Sequence, residues 1–240
     1  MNSKEITQIL KLNELFYQSI SGDFSKTRQE PWEGWGRVCK TIVKTFNLDE
    51  LNNGQSNLKN DGKNTSCIKI LDLGCGNGRF LKYIRSKIKS FDYIGIDINN
   101  DLLLEAEKIE ILSDKQKRKF IKKDVILDIK KIKGKYNVVT IFGLTHHIPD
   151  KSFRKKWFEN LPRLLSNPAL LIITFWEFDK NPGDYILGWG QQSSKETRFC
   201  HKYSVKEIKE IEDIFKNSGL KLIEKYKSDN KNLYLIFGKI

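Results

Sequence analysis

The sequence predicts an α/β fold with three layers, in which a mostly parallel β-sheet lies between helices and ends in an antiparallel hairpin. Short apolar runs alternate with segments of helical spacing over residues 68–176, which is the pattern of repeated strand–helix units. A glycine-rich turn directly follows the first apolar run, as it does where such sheets bind ligands. The last two apolar runs, 220–226 and 232–238, flank a short polar turn and predict the hairpin. Spacing alone does not determine the strand order.

The N-terminal residues 1–50 are predicted to form a helical extension with a recognition loop. Apolar residues recur at helical spacing over 5–20, and Ser21-Gly22-Asp23 is expected to end that helix. Residues 24–35 carry a proline, two tryptophans and many charges without either period, and helical spacing returns over 35–46. Residues 51–66 are a polar linker with little to bury. The main domain is therefore predicted to span 67–240.

The central motif joins the first strand, Ile68–Leu73, to a helical segment over 79–89. Glycines allow the backbone to approach a ligand closely, and the motif supplies them in the spacing G-x-G-x-G at Gly74, Gly76 and Gly78. Arg79 stands where a dinucleotide-binding turn has its third glycine, which counts against NAD. The small, polarizable side chain of Cys75 suits this turn better than it suits a nucleophilic role.

Acidic residues lie at or just after the ends of the next two predicted strands. Asp97 lies about twenty residues beyond the glycine turn, the usual position of a carboxylate that binds ribose hydroxyls. Asp124 lies just after the third strand, and a fourth strand over 136–142 leads to His146 and His147. These strand ends meet at one edge of an open α/β sheet, so we expect them to surround one ligand.

The C-terminal region is predicted to return to regular structure after an insertion. Residues 151–165 have helical spacing, 170–176 form a long apolar strand, and 179–197 are expected to lie over the strand ends. A helix over 204–218 should begin with a capping box formed by Ser204 and Glu207.

Composition and charge fit a globular protein with a bias towards anionic partners. The chain has 240 residues, 39% hydrophobic and 30% charged, with a net charge of +13. A basic surface raises the expectation of RNA binding, although lysine-rich composition alone produces the same excess. The densest basic stretch, 115–135, is expected to be a solvated face more often than an RNA-binding one.

The four cysteines show no C-x-x-C spacing, so we predict neither a metal site nor a disulfide framework. The N-terminus lacks the pattern of a signal peptide, and no apolar run is long enough to span a membrane. A cytoplasmic protein without membrane association is the expectation.

The ordered series of glycine turn and strand-end acids resembles the class I S-adenosylmethionine (SAM) methyltransferases, which have a Rossmann-like three-layer fold. The resemblance implies SAM as the cofactor. It also implies cofactor-binding roles for the following residues: Asp72, Gly74, Cys75, Gly76, Gly78, Asp97, Ile98, Asp124, Val125 and Phe142.

A narrower resemblance rests on the block F-S-x-T-R-x-x-P-W at residues 24–32, the pair His146-His147, and Trp176 at the end of the fifth strand. These features are similar to the tRNA methyltransferases that esterify 5-carboxymethyluridine at the wobble position, whose later motifs resemble 184–189 and 198–201. The resemblance implies tRNA as partner and allows a small zinc-binding activator subunit, as in eukaryotic members. It implies substrate-binding roles for Arg28, Trp32, Trp176, Trp189, Arg198 and His201.

A carboxylate acceptor is ionised at neutral pH and needs a cation rather than a general base. Arg28 is our candidate for a catalytic clamp, because guanidinium grips a carboxylate with two hydrogen bonds; a surface ion pair with Glu30 or Glu33 is the alternative. Trp32 would stack on a base or cover the cofactor site.

His146 and His147 are catalytic candidates because they follow the fourth strand, at the place where the methyl group should be presented. With a hydroxyl or amine acceptor one of them would be the base, whereas with a carboxylate they would line the pocket, and either could be structural. Arg198 and His201 could contact the anticodon loop or serve structure. Two other functions stay open: a small-molecule O- or N-methyltransferase, and a catalytically silent SAM-binding subunit.

Overall fold

The computed structural model describes residues 1–48, 67–188, 196–229 and 231–239. Within these ranges the strands are β1 Ile68–Leu73, β2 Phe91–Asp97, β3 Gln116–Lys122, β4 Tyr136–Ile141, β5 Leu165–Trp176, β6 Gly183–Gly188, β7 Thr197–Lys202, β8 Lys221–Ser228 and β9 Asn232–Lys239. The helices are α1 Ser3–Thr27, α2 Gly34–Phe46, α3 Arg79–Ile84, α4 Asn100–Glu107, α5 Lys151–Glu159 and α6 Val205–Asn217. Short 3-10 segments are Ile129–Lys131, Thr145–His147 and Pro162–Leu164.

The described strands form a seven-stranded sheet and a separate two-stranded one. The large sheet has the order β3-β2-β1-β4-β5-β9-β8. Strands β1 to β5 pair in parallel, whereas β9 is antiparallel to both β5 and β8. The predicted mostly parallel sheet with a C-terminal antiparallel hairpin is therefore confirmed.

The two faces of the sheet are buried in two hydrophobic clusters. Ile70 and Val138 pack on the face covered by α2 and α3, together with Ile42. Leu71 and Val139 point to the opposite face, which α5 and α6 cover. Successive residues of a strand alternate between faces, so a continuous apolar run such as β1 is buried on both sides. The three-layer arrangement follows from this double burial.

Helix α1 is longer than the sequence predicted. Residues 21–23 do not end it, and it continues to Thr27. Gly22 costs a helix interior about 1 kcal/mol relative to alanine, but contacts hold the chain before it and after it, where the Arg28 carbonyl accepts a hydrogen bond from Asn77. Asn2 and Glu5 form a capping box at its start, and Ser21 donates a hydrogen bond to Asp101 near its end. Tertiary contact thus overrides the local stop signal.

Other boundaries also differ from those predicted, among them the start of β5, which lies at Leu165 and not at residue 170. The helix expected over 79–89 ends at Ile84, and the helix expected over 151–165 ends at Glu159. The expected insertion over 179–197 contributes β6 and part of β7, which pair with each other. Cross-strand pairing here joins segments whose own composition shows little strand signal.

The C-terminal capping box is confirmed. The Glu207 backbone N–H donates to Ser204 Oγ at 3.2 Å, and the Ser204 N–H donates to the Glu207 carboxylate at 2.9 Å. Two backbone N–H groups that have no partner within the helix are thereby hydrogen-bonded, and the local sequence sufficed to predict this boundary.

Helix α2 contributes Trp35, Val38 and Ile42 to the same core as β1 and β9. Residues 51–66, the predicted linker, lie outside the described residues. The proposed domain boundaries at 50 and 66 stay a prediction. No helix in the described ranges is both long and apolar enough to cross a membrane.

Candidate functional site

A cleft of about 620 Å³ opens where the carboxyl ends of β1, β2 and β4 face helix α1. This volume lies in the range of sites for small ligands and cofactors. Fourteen of the predicted site residues line it: Arg28, Trp32, Asp72, Gly74, Cys75, Gly76, Asp97, Ile98, Asp124, Phe142, His146, His147, Trp176 and Arg198. Strand ends that are distant in sequence therefore meet at one site.

The glycine turn keeps one side of the cleft open. Gly74 and Gly76 have φ angles of +76° and +54°, a conformation that other residues adopt at a cost. A Cβ atom at Gly76 would meet nothing closer than 3.9 Å, so a side chain there would occupy ligand space. Gly78 does not line the cleft; a Cβ there would lie 2.9 Å from Ala106 Cβ. Gly78 thus serves the packing of the turn against α4.

Three carboxylates form the polar floor of the cleft, Asp72 fully buried and Asp97 and Asp124 half-buried, and each is held by neighbouring donors. Asp72 accepts hydrogen bonds from Tyr93 at 2.5 Å and Thr140 at 2.8 Å. Burial raises its pKa to about 6, although these two hydrogen bonds oppose the rise. Asp72 is therefore fixed in place before any ligand enters.

Asp97 and Asp124 are held by backbone N–H groups. Asp97 accepts from Gly76 at 2.9 Å and from Asn99 at 2.8 Å. Asp124 accepts from Ile126 at 2.8 Å and Leu127 at 2.9 Å through one oxygen, Oδ1. Burial raises the pKa of both carboxyl groups, while the backbone donors favour their ionised form.

Aromatic side chains form the wall beside the glycine turn. Trp32 stacks on Trp35 with ring centroids 5.4 Å apart and meets Phe142 edge-on at 6.1 Å. The Arg79 guanidinium lies 5.3 Å from the ring centroids of both tryptophans. Trp32 is thus part of a packed aromatic cluster, which favours a covering role over the alternative of stacking on a base.

Two arginines also line the cleft. Arg28 follows the end of α1, and its backbone oxygen accepts a hydrogen bond from Asn77 at 3.2 Å. Arg198 is buried, lies 4.7 Å from the Phe16 ring centroid, and donates to the Gly188 carbonyl at 3.1 Å. Burial lowers the pKa of Arg28, and repulsion from Arg198 adds to this effect. Two guanidinium groups that repel each other are suited to an anionic ligand.

The two histidines are buried and differ in their partners. His147 Nε2 lies 2.8 Å from the Tyr17 hydroxyl, and its Nδ1 lies 2.9 Å from the Phe199 carbonyl oxygen. The carbonyl can only accept, so Nδ1 carries the proton and Nε2 accepts from Tyr17. His147 therefore has no nitrogen left to act as a base, which fits the structural alternative.

His146 lies against Trp176, with ring centroids 5.1 Å apart. Its Nδ1 is buried without a hydrogen-bond partner among the described residues. Burial lowers the pKa of both histidines, to about 3 for His147, and nearby Arg198 adds to the lowering. Such groups are weak bases at neutral pH.

Among the cleft residues that the sequence did not predict, Asn13 and Tyr17 of α1 stand out by their hydrogen bonds. Asn13 accepts a hydrogen bond from the Phe199 N–H at 2.7 Å and donates to the His147 carbonyl at 3.5 Å. Tyr17 orients the His147 ring, as described above. A polar residue on the apolar face of an amphipathic helix was the signal available for Asn13, since Leu10, Phe16 and Ile20 share its buried face.

Two further predicted site residues in the described part of the chain, His201 and Val125, lie outside the cleft. His201 is buried between Asp184, at 2.5 Å, and Glu207, at 3.1 Å, and does not line the cleft. Val125 packs in the core, and its carbonyl accepts a hydrogen bond from Trp157 at 3.0 Å. Trp189 lies outside the described residues. The positions of His201 and Val125 fit structural roles.

In the described ranges, His146, His147 and Cys200 place potential metal-ligand atoms within 4.8 Å of one another. Both nitrogens of His147 already have partners, and burial raises the pKa of the Cys200 thiol to about 11, which disfavours the thiolate that binds metals. We assign no metal to this cluster, and the prediction that the chain holds none stays a prediction.

The cleft fits a nucleoside cofactor with an amino-acid end. Gly76 leaves the space that its side chain would fill, and the Asp97 carboxylate is held next to it at the end of β2, where a ribose can be bound. A family model described as "Methyltransferase domain" matches residues 37–225, more than half of the chain. The chain therefore belongs to the methyltransferase-domain family, and its fold is that of the class I SAM-dependent methyltransferases, with SAM as the cofactor.

Solved structures support the fold. The chain is similar to a 1,6-didemethyltoxoflavin-N1-methyltransferase of Burkholderia thailandensis, with a TM-score of 0.63 and 11% identity over 100% of this chain and 91% of that one. It is similar to the magnesium protoporphyrin IX methyltransferase of Synechocystis, with a TM-score of 0.63 and 16% identity over 96% and 99%. Both structures contain S-adenosylhomocysteine.

Among curated proteins, the chain is 29% identical over 179 residues to a tRNA (carboxymethyluridine(34)-5-O)-methyltransferase of Arabidopsis thaliana. The match covers 75% of this chain and 36% of the relative, so the chain spans about a third of that protein's length.

Proposed function

We propose that this protein is a SAM-dependent tRNA methyltransferase that methylates the carboxylate of 5-carboxymethyluridine at the anticodon wobble position. The observation that carries the proposal is the pairing of two arginines with histidines that are poor bases. The similarity to the Arabidopsis relative supports the same acceptor.

The type of methyl acceptor follows from two properties of the described cleft: it contains two arginines, and its histidines are poor bases. Bound SAM supplies an electrophilic methyl group: a carboxylate oxygen forms the new C–O bond, the C–S bond breaks with its electron pair left on sulfur, and a neutral ester results. A hydroxyl or amine acceptor would need a base with a pKa near the working pH. In the described cleft the histidines are weak bases and the aspartates are held by their own donors.

The chain's own residues then have distinct tasks. Asp97 and the glycine turn hold the cofactor, and Asp124 contacts the adenine amino group, as the resemblance to the class I family implies. Arg28 and Arg198 orient the acceptor carboxylate, and the aromatic wall of Trp32 and Phe142 excludes water. Removing water favours a reaction in which an anion and a cation become two neutral products.

The experiment supplies radiolabelled SAM and tRNA that carries 5-carboxymethyluridine, with and without a zinc-binding activator subunit. We expect labelled tRNA from which mild alkali releases the label. Alkali cleaves a methyl ester, whereas it leaves N-methyl groups and O-methyl ethers intact. The need for an activator stays a prediction, and comparison of the reactions with and without the subunit tests it.

Two other outcomes would overturn the proposal. Label on small acceptors but not on tRNA would indicate a small-molecule methyltransferase, the activity named for the solved neighbours. SAM binding without transfer to any acceptor would indicate a silent subunit.

A further inference from the structure

A second groove, of about 310 Å³, lies beside the cleft and shares Arg28, Asn77 and Arg79 with it. Its wall carries five basic side chains and two acidic ones: Arg28, Arg79, Lys82, Arg85 and Lys108, with Glu105 and Glu110. The shared residues place the groove directly beside the cleft, so a long ligand bound in the cleft can reach the groove.

Three of the cations form a row. Arg79, Lys82 and Arg85 are three residues apart along α3 and the turn that follows it, a spacing that places side chains on one helix face. The rise of an α-helix puts the ends of this row about 9 Å apart along its axis. Successive phosphates of an extended single strand can lie along such a row.

Each cation of this row donates a hydrogen bond to an uncharged oxygen. Arg79 donates to the Glu30 carbonyl at 3.2 Å, Lys82 to the Gln29 side chain at 3.4 Å, and Arg85 to the Glu110 carbonyl. Over the described ranges no carboxylate forms an ion pair with any of the three, whereas Lys108 pairs with Glu105 at 2.6 Å. Arg85 also has a buried Nε without a hydrogen-bond partner there.

The cofactor does not explain this concentration of charge. SAM contains no phosphate and only one carboxylate, fewer anionic groups than the row of three cations can bind. The lowered pKa of Arg79, about 10, arises from burial and from repulsion by Arg28, and it leaves the group charged at neutral pH. A polyanion that runs from the cleft is the ligand chemistry that fits.

The geometry points to this groove as a binding site for the phosphodiester backbone of single-stranded RNA next to the methylated nucleotide. The inference rests on the proposed function. The base enters the cleft, and the phosphates beside it follow Arg79, Lys82 and Arg85. A nucleotide in an anticodon loop is single-stranded and can be presented in this way.

The test compares two double variants that each remove two positive charges. K82A/R85A changes the groove, and K117A/K119A changes exposed positions of β3 in the densest basic stretch of the sequence. We expect K82A/R85A to raise the KM for tRNA at least tenfold. When the logarithm of its RNA association constant is plotted against the logarithm of the salt concentration, the slope should be shallower by about 1.4. This is the change expected when two contacts to single-strand phosphates are lost.

The SAM dissociation constant of K82A/R85A should stay within about twofold of the wild-type value. K117A/K119A should change the KM less than threefold. Equal effects of the two variants would mean that total charge alone matters and would overturn the inference, as would an unchanged KM for K82A/R85A.

Failure of the proposed function is distinguishable from failure of this inference. If the wild-type protein does not methylate tRNA, fluorescence anisotropy with a labelled single-stranded RNA oligonucleotide still reports on the groove. Loss of that binding in K82A/R85A alone would support the groove, and equal binding by both variants would overturn it.

Discussion

The cleft has two halves that are built in different ways. The half that we propose to bind the cofactor, called the cofactor half, consists of the glycine turn, Asp97 and Asp124, and its aspartates accept hydrogen bonds from backbone groups within about twenty residues of themselves. The acceptor half joins α1 to segments far along the chain, with Tyr17 bound to His147 and Asn13 bound to Phe199. The first half is local in sequence, and the second exists only because the chain has folded.

This difference has a consequence for function. A local turn can keep the same cofactor geometry in many proteins, whereas an acceptor half assembled from distant segments can change its ligand through a few substitutions. The neighbours with the same fold and different named substrates agree with such a division.

The largest expected effect is in the acceptor half. Arg28→Ala should lower kcat/KM for tRNA about 100-fold, because the substrate carboxylate loses a bidentate partner, while Arg28→Lys should recover part of the loss. Lys26→Ala, an exposed change two residues earlier in the last turn of α1, is the matched control.

The SAM affinity of Arg28→Ala, measured by calorimetry, should change less than threefold. A large loss of SAM affinity with an unchanged KM for tRNA would instead place Arg28 in the cofactor half.

In the cofactor half, Asp97→Asn should weaken SAM binding roughly 10- to 100-fold. The variant loses the charged acceptor that holds Gly76 and Asn99 and that would bind the ribose hydroxyls. Calorimetry with Asp114→Asn, an exposed aspartate, provides the comparison. Unaltered affinity would show that the glycine turn keeps its geometry without this carboxylate.

The histidines predict a pH dependence of folding stability. Their pKa is lower in the folded than in the unfolded protein, so the unfolded state binds more protons below pH 6.5 and stability falls as the pH decreases. Each histidine contributes up to about 1.4 kcal/mol per pH unit across the window from pH 6.5 down towards the folded value, about 3 for His147.

The buried Asp72 has a raised pKa and acts in the opposite direction between its unfolded value and pH 6. A difference measurement isolates the histidine: urea unfolding of wild type and His147→Gln at pH 7, 6 and 5. The variant should show the shallower loss of stability on acidification, and parallel pH profiles would contradict the assigned shift.

The smallest expected effect is that of Tyr17→Phe. Removal of the hydroxyl leaves His147 Nε2 buried without its donor and should cost about 1 kcal/mol of unfolding free energy. Tyr185→Phe, whose hydroxyl bonds the Asn181 carbonyl at an exposed position, should cost less. An equal cost for both changes would mean that the contact between α1 and His147 adds little.

Sequence and structure agree most closely where the signals are local. Strand β1, the glycine turn, the Ser204 capping box and the C-terminal hairpin were all predicted, because each depends on residues a few positions apart. The end of α1 and the pairing of β6 with β7 were not, because contacts with distant segments decide them.

By itself the sequence determined the class of fold and the glycine turn with its strand-end acids, because hydrophobic periodicity and turn chemistry depend on residues close together in the chain. Only the tertiary structure decided which candidates share the cleft. It brought Arg28 and Arg198 together, used both nitrogens of His147, and buried His201 between Asp184 and Glu207. Residues 130 or more positions apart meet through the packing of α1 on the sheet edge, and no local pattern encodes that meeting.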